Sequence, residues 1–338
     1  MLTKSAVIEK ILSNKISSIP ARLQGEGFAA ANIALSKYWG KRDTELNLPM
    51  TSSVSISLAH KGAAAEIHII DAKCHELFVN GILLDATQPH TQQLIAFLDA
   101  FQPTSYAYRV KLRINIPVAA GLASSACIFA ALVKALDQLH EWKLHAQTLS
   151  ILARLGSGSA ARSIETGFVE WQRGSRPDGM DSYGIPLPME WPELQIGLCI
   201  ITAHQKSVSS REGMQRTVET SPLYPTWLQK TEKDLIQIKT AILEKNFDSF
   251  GKTAESNALA LHATLQTAWP PLMYTQPETL AMMQQIWALR QAGLSLYFTQ
   301  DAGPNLKLLF LESDRAVVKK AFPHVEILCP FQTENRYA

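Results

Sequence analysis

The chain has 338 residues, 46% of them hydrophobic and 18% charged, a balance that suits a folded protein of about two domains and excludes disorder as its dominant state. With 32 basic residues against 30 acidic ones the net charge is +2, so no broad field exists to hold a nucleic-acid backbone or a membrane surface, and any anion needs a local site. The four cysteines, Cys74, Cys127, Cys199 and Cys329, lie far apart in or beside apolar stretches, and the nine histidines form no HExxH, so no built-in metal site is expected and a metal would arrive with a substrate.

In chain order, residues 1–25 are expected to be a poorly specified extension. Charges interrupt every apolar run there, so neither a signal peptide nor a membrane span can be drawn, and the cytoplasm is the expected location. Residues 52–70 and 109–116 alternate apolar and polar with the period of half-buried strands. After Pro117 the pattern turns into a buried helix opening in a Gly/Ser turn, and a second helix over 147–155 breaks at Gly156-Ser157-Gly158-Ser159 before a short helix at 160–164. A buried strand is expected over 194–202, long helices over 226–243 and 279–292, then strands at 294–299 and 306–311, a helix at 314–321 and a strand at 325–328. This mixture predicts an α+β protein whose two domains cover residues 26–190 and 191–338.

Five segments carry candidate chemistry. PVAAGLASSA (117–126) sets small residues between a strand and a helix, where free N–H groups and a helix N-terminus favour an anion and Ser124 and Ser125 add hydroxyls; a tight turn needs the same residues. It is neither the GxxxxGK[ST] nor the GxGxxG loop. ANIALSKYWGKRD (31–43), taken alone, is a strand end followed by a solvated charged loop. GSGSAARS (156–163) presents Ser157 and Ser159 on a turn with Arg162 one helical turn further, either a second anion cradle or a plain helix cap. VSSREGM (208–214) reads alone as a helix start with a surface arginine. Asp301, in DAGPN, follows a strand and precedes a small-residue turn, where an aspartate more often caps backbone than acts as a base.

Together these segments are specific. PVAAGLASSA resembles the phosphate-wrapping segment of the GHMP kinases, and the other four, in this order over nearly the whole chain, resemble the diphosphomevalonate decarboxylase family within that superfamily. The resemblance implies a two-domain GHMP kinase fold with a single deep active-site cleft between the domains, a homodimer, and ATP with Mg²⁺ acting on mevalonate 5-diphosphate. It assigns Ala120, Gly121, Leu122, Ala123, Ser124 and Ser125 to ATP. Tyr38, Lys41, Ser157, Ser159, Arg162, Ser210, Arg211 and Met214 fall to the substrate, and Asp301, Lys37 and Arg162 to catalysis. Gln300 departs from the aromatic residue common before the aspartate, Cys127 stands where a small residue is usual, and the N-terminal extension has no interpreted counterpart. The alternatives are a kinase that stops after C3 phosphorylation, a decarboxylase of the monophosphate, and a nucleotide-binding protein without turnover. The sister kinases lack the KYWGK and DAGPN pair, and the presence of Lys37 and Asp301 weighs against the last alternative.

Overall fold

The computed structural model describes residues 2–15, 20–101, 106–116, 124–202 and 208–331. Four of the expected phosphate-loop residues, Ala120, Gly121, Leu122 and Ala123, lie outside the described residues, as does the Ser124 side chain. The first part of the chain runs α1 (Lys4–Leu12), β1 (Gln24–Ser36), β2 (Lys41–Asp43), β3 (Leu48–Pro49), β4 (Ser53–Ile70), β5 (Glu76–Val79), β6 (Ile82–Leu83), α2 (Pro89–Asp99), β7 (Ala107–Ile114), α3 (Ser124–His140), α4 (Ala146–Gly156), a 3₁₀ turn (Gly158–Arg162), β8 (Phe168–Trp171) and β9 (Gly184–Pro186). The second runs β10 (Leu194–Cys199), α5 (Ser210–Thr220), α6 (Tyr224–Leu243), α7 (Phe247–Gln266), α8 (Pro277–Gln291), β11 (Tyr297–Gln300), β12 (Leu306–Leu311), α9 (Arg315–Ala321) and β13 (Glu326–Leu328).

Two large sheets organise these elements, beside a small two-stranded one of β2 and β3. Seven strands order as β6-β5-β7-β4-β8-β9 with β1 along β4, and four order as β11-β12-β10-β13. The long β4 carries β8 beside its first half and β7 beside its second, while β1 pairs antiparallel along its whole length with two irregularities, between Ala30 and Asn32 and between Ala34 and Ser36. Those irregularities sit next to the segment where the chain leaves β1 for Lys37 and Tyr38, as bulges commonly do beside functional sites. Helix α3, apolar on most sides, lies directly on β1: a Cβ at Gly25 or Gly27 would run into the Ala135 or Ala131 carbonyl, so glycine is what allows the helix to approach this closely.

One apolar core passes through both sheets, taking in Ile33 and Val54 from the first, Leu194, Ile196, Leu198 and Leu309 from the second, and Phe250 of α7. A second cluster packs α8 and α9 on the four-stranded sheet through Ile286, Phe298, Phe310 and Val318. A third gathers Trp39, Tyr224, Trp227 and Leu265 beneath the α6–α7 hairpin. Among the described residues no helix is long and apolar enough to cross a membrane.

The N-terminal reading is corrected. Residues 4–12 form a helix, not a loose extension: Thr3 caps it by accepting the Ala6 N–H, and Val7, Ile8 and Leu12 are fully buried in the main core. The charges at Glu9 and Lys10 that interrupt the apolar run fall on the outer face of the helix, and Lys10 pairs with Asp178 at 2.9 Å. Helix α7 was not anticipated, because its polar and small residues mask the apolar stripe of Phe250, Ala254, Ala258, Leu261 and Leu265. Leu12→Ala is expected to lower the unfolding free energy by about 2–5 kcal/mol in urea titrations, the range for truncating a buried leucine; a loss below about 1 kcal/mol would mean that α1 is not part of the core.

Candidate active site

The end of β1 and the end of β11 lie side by side, which brings Lys37 to Asp301 across 264 residues of chain. The Lys37 ammonium donates to Asp301 Oδ1 at 2.7 Å and to the Ala34 carbonyl at 2.7 Å, and its backbone N–H donates to Asn257 Oδ1 of α7. Lys307, the second residue of β12, reaches the other carboxylate oxygen at 3.2 Å. Both lysine side chains are 2% exposed, whereas the carboxylate is 23% exposed. Burial pushes the Asp301 carboxyl up, but attraction to Lys37 and Lys307, with their hydrogen bonds, outweighs it and holds the group well below the usual carboxylate range. Burial lowers Lys37 to about 8, with Asp301 opposing the shift. His262 donates from Nε2 to the Asp301 carbonyl at 3.2 Å; burial and then the Lys37 charge lower its pKa to about 4, so the ring is neutral at pH 7.

Arg162 closes the 3₁₀ turn and is 3% exposed. The sequence places it one turn inside an α-helix; the structure places it at the last residue of this tighter turn. Its guanidinium donates to Asn32 Oδ1 at 3.3 and 3.4 Å and to Ser53 Oγ at 2.5 Å, and stands 5.8 Å from the Trp171 ring centroid. Burial lowers it to about 10 while the Asp301 charge opposes. Among the described residues no carboxylate is within ion-pair reach of it, so this buried cation has only neutral partners. Tyr38 packs edge-on against Trp171 at 4.7 Å, and its buried hydroxyl has no hydrogen-bond partner among the described residues. A Cβ at Gly158 would come within 2.8 Å of that hydroxyl, so the glycine leaves room for the Tyr38 tip. Ser157 Oγ lies 3.2 Å from Ser125 Oγ at the start of α3, joining the two expected anion cradles, and Ser159 sits half-buried on the same turn with its carbonyl accepting from Asn32.

A second cluster surrounds Lys41. Lys41 donates to Asn47 Oδ1 at 2.7 Å and lines a cavity of about 480 Å³ together with Arg211 and Met214 of α5. Burial lowers the Lys41 pKa to about 8, and repulsion from Arg211 and Lys4 adds to it. Ser210 opens α5 but is not among the residues that line this cavity. Two patches of cationic donors, with one ionised carboxylate in electrostatic reach of the first, suit a substrate that is anionic at both ends and carries a hydroxyl.

Comparison with known proteins gives this arrangement its relatives. Residues 29–184 match the family model of the diphosphomevalonate decarboxylase-like N-terminal domain, and residues 196–336 that of the mevalonate 5-diphosphate decarboxylase C-terminal domain. The chain belongs to the diphosphomevalonate decarboxylase family. The Aspergillus fumigatus diphosphomevalonate decarboxylase is 36% identical over 86% of this chain and 77% of its own length. The crystal structure of mevalonate diphosphate decarboxylase from Staphylococcus aureus superposes with a TM-score of 0.85, at 34% identity over 92% of this chain and 96% of that one. A structure of the protein abbreviated MDDEF, in complex with MVAPP, AMPPCP and magnesium, superposes with a TM-score of 0.84 at 37% identity over 91% and 98% of the two chains.

Within this diphosphomevalonate decarboxylase family member, sequence reading missed Lys307, Asn257, His262, Asn32 and Ser53. A signal for Lys307 was available: it is the one charge in the strand LKLLFL, whose other residues are apolar, and a lysine there needs a partner. The others are polar residues in helices and strands, with nothing local to mark them. Gln300 is fully buried and ties the turn by donating to the Gly303 carbonyl at 2.9 Å, so the departure from an aromatic residue supports the Asp301 turn by hydrogen bonding. Because Asp301 is the only carboxylate in ion-pair reach of Lys37 among the described residues, Asp301→Asn is expected to cost about 3–5 kcal/mol of stability in denaturant titrations. A variant as stable as the parent would show that the buried lysine does not depend on this pairing.

Proposed function

We propose that the protein converts mevalonate 5-diphosphate and ATP to isopentenyl diphosphate, carbon dioxide, ADP and phosphate. The observation that carries this reading is the Asp301 carboxylate, held ionised by two buried lysines and felt by the buried Arg162 guanidinium, with Tyr38 in electrostatic reach of both Arg162 and the Arg211 of the Lys41 cavity. Tyr38, Lys41, Ser210, Arg211 and Met214 are assigned to the diphosphate end, and Arg162 with Ser157 and Ser159 to the carboxylate end, where a buried guanidinium with neutral partners has binding capacity in reserve. The segment Ala120 to Ser125 is assigned to the ATP phosphates; the Ser125 hydroxyl at the start of α3, 3.2 Å from the Ser157 hydroxyl, supports that assignment. Mg²⁺ is assigned to the ATP phosphates, whose charge it offsets, since both Asp301 oxygens are already engaged by ammonium groups.

The chemistry follows in two stages. The C3 hydroxyl oxygen attacks the γ-phosphorus, a new O–P bond forms and the bond to ADP breaks. Asp301 accepts the hydroxyl hydrogen bond and fixes its direction; a carboxylate of such low basicity is suited to orienting the nucleophile first, and the proton passes to Asp301 only after the transferring phosphoryl has begun to bond and has made the hydroxyl acidic. The C3–O bond then breaks with departure of phosphate. The electron pair of the C1–C2 bond becomes the C2=C3 double bond as carbon dioxide leaves. Lys37 balances the charge of Asp301, while Arg162 aligns the breaking carboxylate bond and the diphosphate contacts supply binding energy for that alignment.

Phosphorus NMR of the protein with Mg-ATP and mevalonate 5-diphosphate is expected to show ADP, phosphate and isopentenyl diphosphate in equal amounts; a stable C3-phosphorylated product would instead make it a kinase. Asp301→Asn should lower kcat by several orders of magnitude while ATP and substrate binding stay within about tenfold, and near-normal turnover would remove the role given to the aspartate. Because burial sets Lys37 and Lys41 near about 8, both lose their charge as pH rises through that value, so kcat/KM should fall above pH 8. In the substrate complex the bound diphosphate favours the charged lysine, so the kcat limb should lie at higher pH than the kcat/KM limb. A kcat/KM profile flat to about pH 10 would show that neither lysine loses a needed charge near pH 8.

A further inference from the structure

The cavity shared by Lys41 and Arg211 has a third cation on its wall that comes from outside the family-matched part of the chain. Lys4 is the first residue of α1, lies half-buried and lines that cavity, while the N-terminal family match begins at residue 29. Its position is fixed from two sides. One turn further along the helix Val7 and Ile8 are locked into the main core, and the Lys4 backbone N–H donates to Glu45 Oε1 at 3.3 Å. The three cations feel one another: burial and then Glu45 and Arg211 act on Lys4, and both Arg211 and Lys4 oppose the charge on Lys41. The carboxylates on the same wall are Glu45 and Glu219. Three positive groups against two negative ones leave a single surplus positive charge, and without Lys4 that surplus is zero.

We propose that α1 is a functional wall of the substrate site and that Lys4 is a third binding residue, beside Lys41 and Arg211, for the terminal phosphate groups of the anionic substrate. This rests on the reading of the cavity as the diphosphate end. Crowded like charges at a partly buried wall are unfavourable until an anion enters between them, so the anion relieves the repulsion as well as gaining attraction. A lysine suits this place because a compact ammonium on a flexible stem can follow a phosphate without demanding a two-pronged geometry.

The test uses the full-length protein and reads steady-state constants alongside calorimetric titration of mevalonate 5-diphosphate without ATP, for the parent, Lys4→Met, Lys4→Arg and Lys10→Met. Lys4→Met is expected to raise the KM and Kd for mevalonate 5-diphosphate roughly five- to twentyfold, leaving kcat and the KM for ATP within about twofold. Lys4→Arg should recover most of the loss, and Lys10→Met, on the outer face of the same helix, should behave like the parent. Thermal melting of Lys4→Met close to the parent shows that the effect is not loss of the helix. If the parent binds and turns over the substrate and Lys4→Met does so with unchanged KM and Kd, Lys4 has no part in binding. If the parent neither binds nor converts mevalonate 5-diphosphate, the substrate reading itself fails, and the inference about Lys4 fails with it.

Discussion

Lys37, Asp301 and Lys307 form a buried arrangement in which one carboxylate is shared by two ammonium groups, and much of the molecule is organised around it. An isolated lysine at 2% exposure is a costly thing for a protein to hold, and two of them can persist only if the backbone brings a counter-charge to both. The fold does this by ending β1 beside β11 and starting β12 just after the Asp301 turn, with Thr299 Oγ1 and the Lys37 ammonium both bonded to the Ala34 carbonyl. Asn257 of α7 holds the Lys37 backbone from the opposite side and in turn donates to Asp234 of α6. Pairing of the two sheets and ionisation of the candidate catalytic carboxylate are therefore one problem with one solution.

Much of this was legible in the chain, and the reasons differ by element. The alternation over 52–70 and 109–116 became β4 and β7 because a period of two has few other uses, and the short apolar run 306–311 became β12, buried along nearly its whole length. The site segments were legible for another reason: small residues and cations packed into short motifs carry more constraint than a helix face does. What the residues alone suggested for ANIALSKYWGKRD was a solvated loop, and that was wrong for Lys37, because local composition says nothing about a partner 264 positions away. Helix α1 was misjudged on the same principle. Its charges look like interruptions in a linear reading and become an outer face once the segment is wound into a helix.

The site also shows how neutral groups can keep charged ones ready. Arg162 is held by an amide oxygen and a hydroxyl, partners that fix its position without neutralising it, and Tyr38 is braced by Trp171 with its hydroxyl unpaired among the described residues. A carboxylate partner for Arg162 would have stabilised the resting protein more and would have competed with any anionic ligand. The arrangement accepts a less favourable resting state in return for a preorganised one.

Phe250 of α7 belongs to the same apolar core as Ile33 of β1 and Leu309 of β12. A core shared in this way denies the chain a stable half. Neither sheet can lose its packing without exposing the face of the other, so heat or denaturant should dismantle both in a single cooperative transition. A copy that lost the packing of one sheet would also loosen the other, so damage to either half of the site reaches both.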